Sequence, residues 1–163
     1  MLDEMDLKIL KIMQEDATRP VADIGKEVGL STTPCWRRIQ KLEEAGIIRR
    51  RVALLDPTKV NCGVTVFVSI KTDRHSYDWL EKFHSAAFKF PEVVELYRMS
   101  GEIDYLLRVV TSDLSAYERF LIEHLTRVPG VASIKSSFAL KQVAYRTALP
   151  IAGESRSVSD PWV

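Results

Sequence analysis

The sequence is short of cysteine, histidine and net charge, and each shortage closes off a class of function. The two cysteines, Cys35 and Cys62, lie far apart without a CxxC spacing. That excludes a disulfide scaffold and argues against a zinc site. Three histidines, His75, His84 and His124, show no metal-ligand spacing with carboxylates or cysteines. No GxGxxG, P-loop or GxSxG motif occurs. The chain therefore reads as a non-enzyme with no catalytic residues, no metal and no cofactor. Long apolar runs are missing too, and the opening "MLDEMDLKIL" carries acids, so neither a signal peptide nor a membrane span is expected. A reducing cytoplasm is the expected location, with no membrane partner. The formal net charge is only +1, so a nucleic-acid partner has to be sought in where the charge is placed.

What is present is an ordinary soluble composition, 46% hydrophobic and 28% charged over 163 residues, enough for one domain or two small ones. Positive charge gathers in "STTPCWRRIQKLEEAGIIRRR", Ser31 to Arg51, which holds six Lys or Arg and two Glu. Helical apolar spacing precedes it. Leu2, Met5, Leu7, Ile9, Leu10, Ile12 and Met13 give one apolar face, with Asp3 placed to cap and Asp6 completing an imperfect capping box. "DATRP" breaks that helix, and Pro20 opens a second, "PVADIGKEVG", with Val21, Ile24 and Val28 inward. Gly29 ends it, and Ser31 is placed to cap a third helix that stops at Gly46. Two short helices joined by "GLS" make a helix-turn-helix signature. The β-prone "IIRRRVALLD" after it fits a hairpin or wing strand, and "DPTKVNCG" reads as a linker.

On a helical wheel the third helix turns Cys35, Ile39, Leu42 and Gly46 inward, and Thr33, Arg37, Gln40, Lys41 and Glu44 outward. Hydroxyls, an amide and cations on one face are the types that read base edges and hold phosphates in a major groove. Arg37 suits guanine and Gln40 adenine; Ser31, Thr32 and Thr33 sit at the helix N-terminus, where phosphate is favoured. Arg38 and Trp36 flank the inner face, with Trp36 readable as packing or as a contact to sugar or phosphate. Arg49, Arg50 and Arg51 supply cations for the flanking backbone. Cys35 reads as a small packed residue.

The second half repeats itself. "GVTVFVSI" is a strand, followed by a helix from about Ser76 to Lys89 and a strand in "FPEVVELYRM". "IDYLLRVV" is a strand, followed by a helix from about Leu114 to Arg127 and a strand in "VPGVASIKSSFAL". Two such units predict a ferredoxin-like βαββαβ domain. Val64, Val66, Val68 and Ile70 share one face of the first strand, with Phe67 opposite; Leu106 and Val110 likewise oppose Tyr105, Leu107 and Val109. In the last strand Ile134, Phe138 and Leu140 share a face, with Val131 and Ala139 on the other. Two helices cover one face of a four-stranded sheet, so the second, partly apolar face calls for a cover. The same face of a second copy is the simplest, and the N-terminal domain is the alternative.

These phrases together resemble the leucine-responsive regulatory protein / AsnC (feast/famine) family of transcriptional regulators. The resemblance runs over residues 1 to about 150. "TTPCWRRIQKLE" and "VALLDP" are closest to a subgroup that includes activators of cysteine breakdown. The resemblance implies an α+β chain: a winged helix-turn-helix (residues 1–62 with its linker) and a ferredoxin-like ligand-sensing and oligomerisation domain (63–150); the Ser-, Gly- and Pro-containing tail (151–163) reads as flexible. It implies homodimers, often assembled into octamers, double-stranded DNA as partner, and a small amino acid effector, cysteine or a branched-chain residue. It carries the effector role onto Met99, Ser100, Gly101, Asp104 and Tyr105 of "MSGEIDY", and onto Ser136 and Ser137. Chemistry agrees in part: backbone N–H groups beside Gly101 suit a carboxylate, and Asp104 suits an ammonium group. A plain β-turn would explain Gly101 alone. A ligand-independent architectural DNA-binding protein is the other reading.

Overall fold

A computed structural model describes residues 2–74 and 76–151. His75 and most of the tail, with Trp162, lie outside the described residues. The described residues form two compact units, one of residues 2–53 together with 144–151, the other of residues 54–143.

The first unit is built by local signals. Helix α1 spans Glu4–Glu15 and starts in a reciprocal capping box, Asp3 accepting from the Asp6 backbone N–H while the Asp6 side chain accepts from that of Asp3. Helix α2 spans Val21–Val28 and ends at Gly29 in the left-handed region, φ 77°. Helix α3 spans Thr32–Glu44. Ile9, Ile12, Met13, Ile24, Val28, Cys35, Ile39 and Leu42 form one buried cluster, the residues whose helical spacing marked them as inward.

Two expectations change in or beside this unit, and one contact was not foreseen. Residues 49–56 run without a strand partner, with Val52, Leu54 and Leu55 exposed. The wing strand read from β-prone composition is therefore unpaired in a single chain, because propensity alone supplies no ladder. Within the linker, Pro57–Val60 forms a 3-10 turn capped by Asp56, whose carboxylate accepts from the Thr58 N–H. Residues 144–150, expected in the second domain, make their contacts with the helical unit. The Gln14 amide donates to the Leu149 carbonyl at 3.0 Å and accepts from the Leu149 N–H at 2.9 Å, in the manner of a paired strand.

The second unit carries strands β1 Val64–Thr72, β2 Val93–Arg98, β3 Tyr105–Thr111 and β4 Val131–Phe138, and helices α4 Tyr77–Ala87 and α5 Leu114–Glu123. The sheet order is β2-β3-β1-β4 with every neighbouring pair antiparallel, the ferredoxin-like arrangement. The α5 helix stops at Glu123, and Leu125–Arg127 tightens into a 3-10 turn. Val66, Val68, Ile70, Tyr105, Leu107 and Val109 meet Trp79, Phe83, Tyr117 and Phe120 in one core. The alternation is regular in β3, where every second residue is buried. In β4 it is not: the register shifts between Lys71 and Thr72, so Val131 pairs with Thr72 and packs on the core together with Ile134, against its expected placing on the opposite face. Leu140 lies past the strand and is fully exposed.

Candidate nucleic-acid interface and effector turn

The turn between α2 and α3 is tight because Gly25 lets it be. The Leu30 N–H donates to the Gly25 carbonyl at 2.8 Å, and a Cβ on Gly25 would come within 2.8 Å of the Leu30 carbonyl oxygen. With Cys35, Ile39 and Leu42 buried beneath it, α3 presents Thr33, Arg37 and Lys41 to solvent. Arg37 and Lys41 make no ion pair among the described residues. Gln40 is half-buried. Trp36 is 47% exposed, so it belongs to the surface and not to the core.

The start of α3 differs from that of α1. The α1 helix has a capping box and acids in its first turn, whereas α3 has no acid there and Ser31 makes no side-chain cap bond. The positive end of the α3 dipole and the hydroxyls of Ser31, Thr32 and Thr33 are left without an internal anion. That is the local condition for holding a phosphate.

Two of the expected DNA-facing arginines are occupied. Arg38 donates to Asp3 at 2.6 Å and to Asp6 at 2.7 Å. Through one nitrogen, Nη1, it ties α3 to the cap of α1. The Asp6 backbone N–H, and then Arg38, hold the Asp3 carboxyl below its ordinary pKa. Arg51 pairs with Glu43 at 2.7 Å, while Arg49 and Arg50 have no such partner among the described residues. Sequence reasoning missed the acids at the start of α1 as partners of Arg38; their only signal was their capping position. Cys35 is wholly buried, and burial pushes its thiol pKa up, which makes it packing and not a reactive group.

In the second unit the β2–β3 turn is closed by the Met99 N–H donating to the Asp104 carbonyl at 2.8 Å, with Gly101 at φ 108°. The N–H groups of Ser100, Gly101, Glu102 and Ile103 have no backbone acceptor among the described residues. Asp104 is half committed: one carboxylate oxygen accepts from the Thr72 N–H at 2.8 Å. Thr72, buried and not foreseen, also donates its hydroxyl to the Gly130 carbonyl at 2.7 Å. Met99 and Ser100 are exposed.

The other expected effector residues part company. Tyr105 is 1% exposed, its ring 4.6 Å from that of Phe83 and its hydroxyl 3.3 Å from His84 Nε2, so its side chain is given to the core. The Ser136 hydroxyl bonds the Tyr117 hydroxyl on the helix-covered side. Ser137 pairs with Phe67 on the opposite face. Neighbours along a strand point to opposite faces, so Ser136 and Ser137 cannot line one site. No group of His, Cys, Asp and Glu among the described residues is arranged to hold a metal, and no helix is long and apolar enough to cross a membrane.

Comparison with known proteins gives two family matches, the AsnC-type helix-turn-helix domain over residues 2–43 and the Lrp/AsnC ligand binding domain over residues 65–149. The Escherichia coli DNA-binding transcriptional activator DecR is 44% identical over 93% of this chain and 99% of its own length. The glutamate uptake regulatory protein of Zymomonas mobilis is 42% identical over 92% of this chain and 91% of its own. Among solved structures, an AsnC family transcriptional regulator from Agrobacterium tumefaciens shares 58% identity with a TM-score of 0.86, covering 91% of this chain and 97% of that one. A Neisseria meningitidis transcriptional regulator, solved with L-Met, shares 38% identity with a TM-score of 0.86, covering 92% and 97%.

Proposed function

Since the chain belongs to the Lrp/AsnC family of transcriptional regulators, we propose that it reads double-stranded DNA in the cytoplasm through α3 and reports an amino acid held at the 99–104 turn. Its class is that of a DNA-binding regulator with an amino-acid-sensing domain, not of an enzyme.

One observation carries the DNA reading: Arg37 and Lys41 stand exposed and unpaired on a helix whose first turn holds no acid. Arg37 forks onto a base edge, the N-terminal hydroxyls hold phosphate, and Arg49 and Arg50 meet the flanking backbone. Arg37→Ala is expected to lower operator affinity by about 1–3 kcal/mol and to relax base preference at one position. Arg50→Ala weakens binding to operator and random duplex alike, since phosphate contacts carry no sequence. Titrations of both variants on both duplexes check this; an unchanged operator affinity for Arg37→Ala would remove α3 as the reading element.

The effector reading rests on the free N–H groups of the turn and on the second Asp104 oxygen. The N–H groups suit a carboxylate and the oxygen an ammonium group. Cysteine or a branched-chain amino acid is the proposed effector; the Neisseria relative was solved with L-Met. Asp104→Asn keeps an acceptor for the Thr72 N–H and loses the charge. It should abolish the thermal shift given by the effector, a stabilisation of about 2.7 kcal/mol at a hundredfold excess over Kd, with DNA affinity intact. No shift in the wild-type protein with any of the twenty amino acids would favour the architectural reading.

The open sheet face carries Phe67 at 38% and Tyr97 at 51% exposure, with Leu106 and Val110 half-buried beside them. A second copy of the same face covers this patch in a two-fold homodimer. Sedimentation at micromolar concentration should give twice the chain mass, and a single-chain mass would sink the dimer.

A further inference from the structure

A cleft of about 600 Å³ opens beside α4 in the second unit and includes none of the 99–104 residues. That volume is ordinary for a small-molecule site. Its walls are aromatic. Trp79 and Phe83 are buried and stacked at 5.1 Å, and Phe90 stacks on His124 at 4.2 Å. Helix α4 brings Asp78 and Lys82 to the cleft, and the end of α5 with its following turn brings Glu123 and Arg127. On each segment the acid and base stand at the spacing that usually pairs. Here none of the four makes a side-chain hydrogen bond or ion pair among the described residues. Arg74, whose Nε lies 4.0 Å from Asp73, adds a third cation, its side chain lying over Gly130, where a Cβ would come within 2.8 Å of Arg74 Cδ.

We propose that this cleft binds a small organic acid with an aromatic or branched apolar body and no ammonium group. The body stacks on the aromatic walls, and the carboxylate meets Lys82, Arg127 and Arg74. Lining cations outnumber lining carboxylates three to two, with Arg74 also near Asp73 outside the lining, and the unpartnered Lys82 and Arg127 give a carboxylate two cations to meet. An amino acid stripped of its nitrogen, a 2-oxo acid or simple carboxylic acid, has this chemistry. The cleft is also joined to the effector turn. Trp79 Nε1 donates to the Pro129 carbonyl, Thr72 donates to the Gly130 carbonyl beside it, and Thr72 N–H holds Asp104.

The test uses the full chain with Trp36→Phe and Trp162→Phe, which leaves Trp79 as the only tryptophan. Titration with 3-phenylpropionate should change Trp79 emission saturably at millimolar concentration or below. L-phenylalanine should bind about tenfold more weakly or worse, because its ammonium group meets the cationic rim. Lys82→Gln with Arg127→Gln should weaken 3-phenylpropionate by about tenfold or more, a loss of about 1.4 kcal/mol, with an unchanged melting temperature. Asp104→Asn, which keeps an acceptor for the Thr72 N–H, should bind it as its parent does. The absence of a saturable change, or full affinity in the Lys82/Arg127 variant, overturns the site. Loss of binding in Asp104→Asn would assign the signal to the effector turn instead. Equal binding of phenylalanine overturns the preference for an organic acid.

Discussion

Phe83→Ala should cost the second unit about 3–5 kcal/mol. Phe83 is 2% exposed, its ring stacked on Trp79 at 5.1 Å and tilted against Tyr105 at 4.6 Å. Truncation removes a buried ring, both aromatic contacts and the wall shared by α4 and β3. The neighbours cannot collapse into the gap, because Trp79 is tied to the Pro129 carbonyl and Tyr105 is fixed in β3. A small domain holds only about 5–15 kcal/mol in all, so the unit is left near its unfolding point. Chemical denaturation of the full chain should then separate into two transitions, with the sensing unit melting first. Phe83→Leu, which fills part of the space, should lose much less. A midpoint for Phe83→Ala equal to that of the wild type would mean that the packing around α4 is not what stabilises this unit.

Gly25→Val should abolish DNA binding on every sequence. In an exposed helix an alanine would gain about 1 kcal/mol over glycine. Here the first added carbon already falls 2.8 Å from the Leu30 carbonyl oxygen and 3.4 Å from the Cys35 Cβ. Both belong to the chain that sets α3 against α2, so relief requires the turn itself to open. Overpacking costs about 1–3 kcal/mol for modest insertions, which outweighs the propensity gain even for alanine. Valine adds two more carbons at the same place. The prediction separates from the Arg37 effect in form: Arg37→Ala removes preference, whereas Gly25→Val removes the placement of the whole reading helix. Mobility shift on operator and random duplex checks it, with the effector-induced thermal shift of the second unit as internal control. Retained operator binding would show that the turn tolerates a wider crossing.

The difference between those two residues marks what a sequence displays. Arg37 was legible because its position on the α3 wheel follows from a period of 3.6 and nothing else. Gly25 lay inside a correctly read helix, but the close approach that demands it comes from the next turn folding back. The same divide runs through the candidate site. Gly101 and Asp104 were named by the family resemblance, and only the tight turn that holds them, between two apolar strands, shows itself locally. Tyr105, one residue on, begins β3 and faces the core, on the face that its alternation with Leu107 and Val109 had already marked.

The sequence by itself determined the three N-terminal helices, the two βαβ units and the outward face of α3. Caps, glycine stops and hydrophobic periods act between residues only a few positions apart, so they survive without a fold. Only the tertiary structure decided that Arg38 serves α1, that Gln14 holds Leu149, that Val131 turns inward at a register shift, and that the arginine-rich segment forms no paired wing. Each of these depends on a partner tens of residues away, or on the lack of one. A side chain's type states what it is able to bind, while the folded chain settles what stands opposite it.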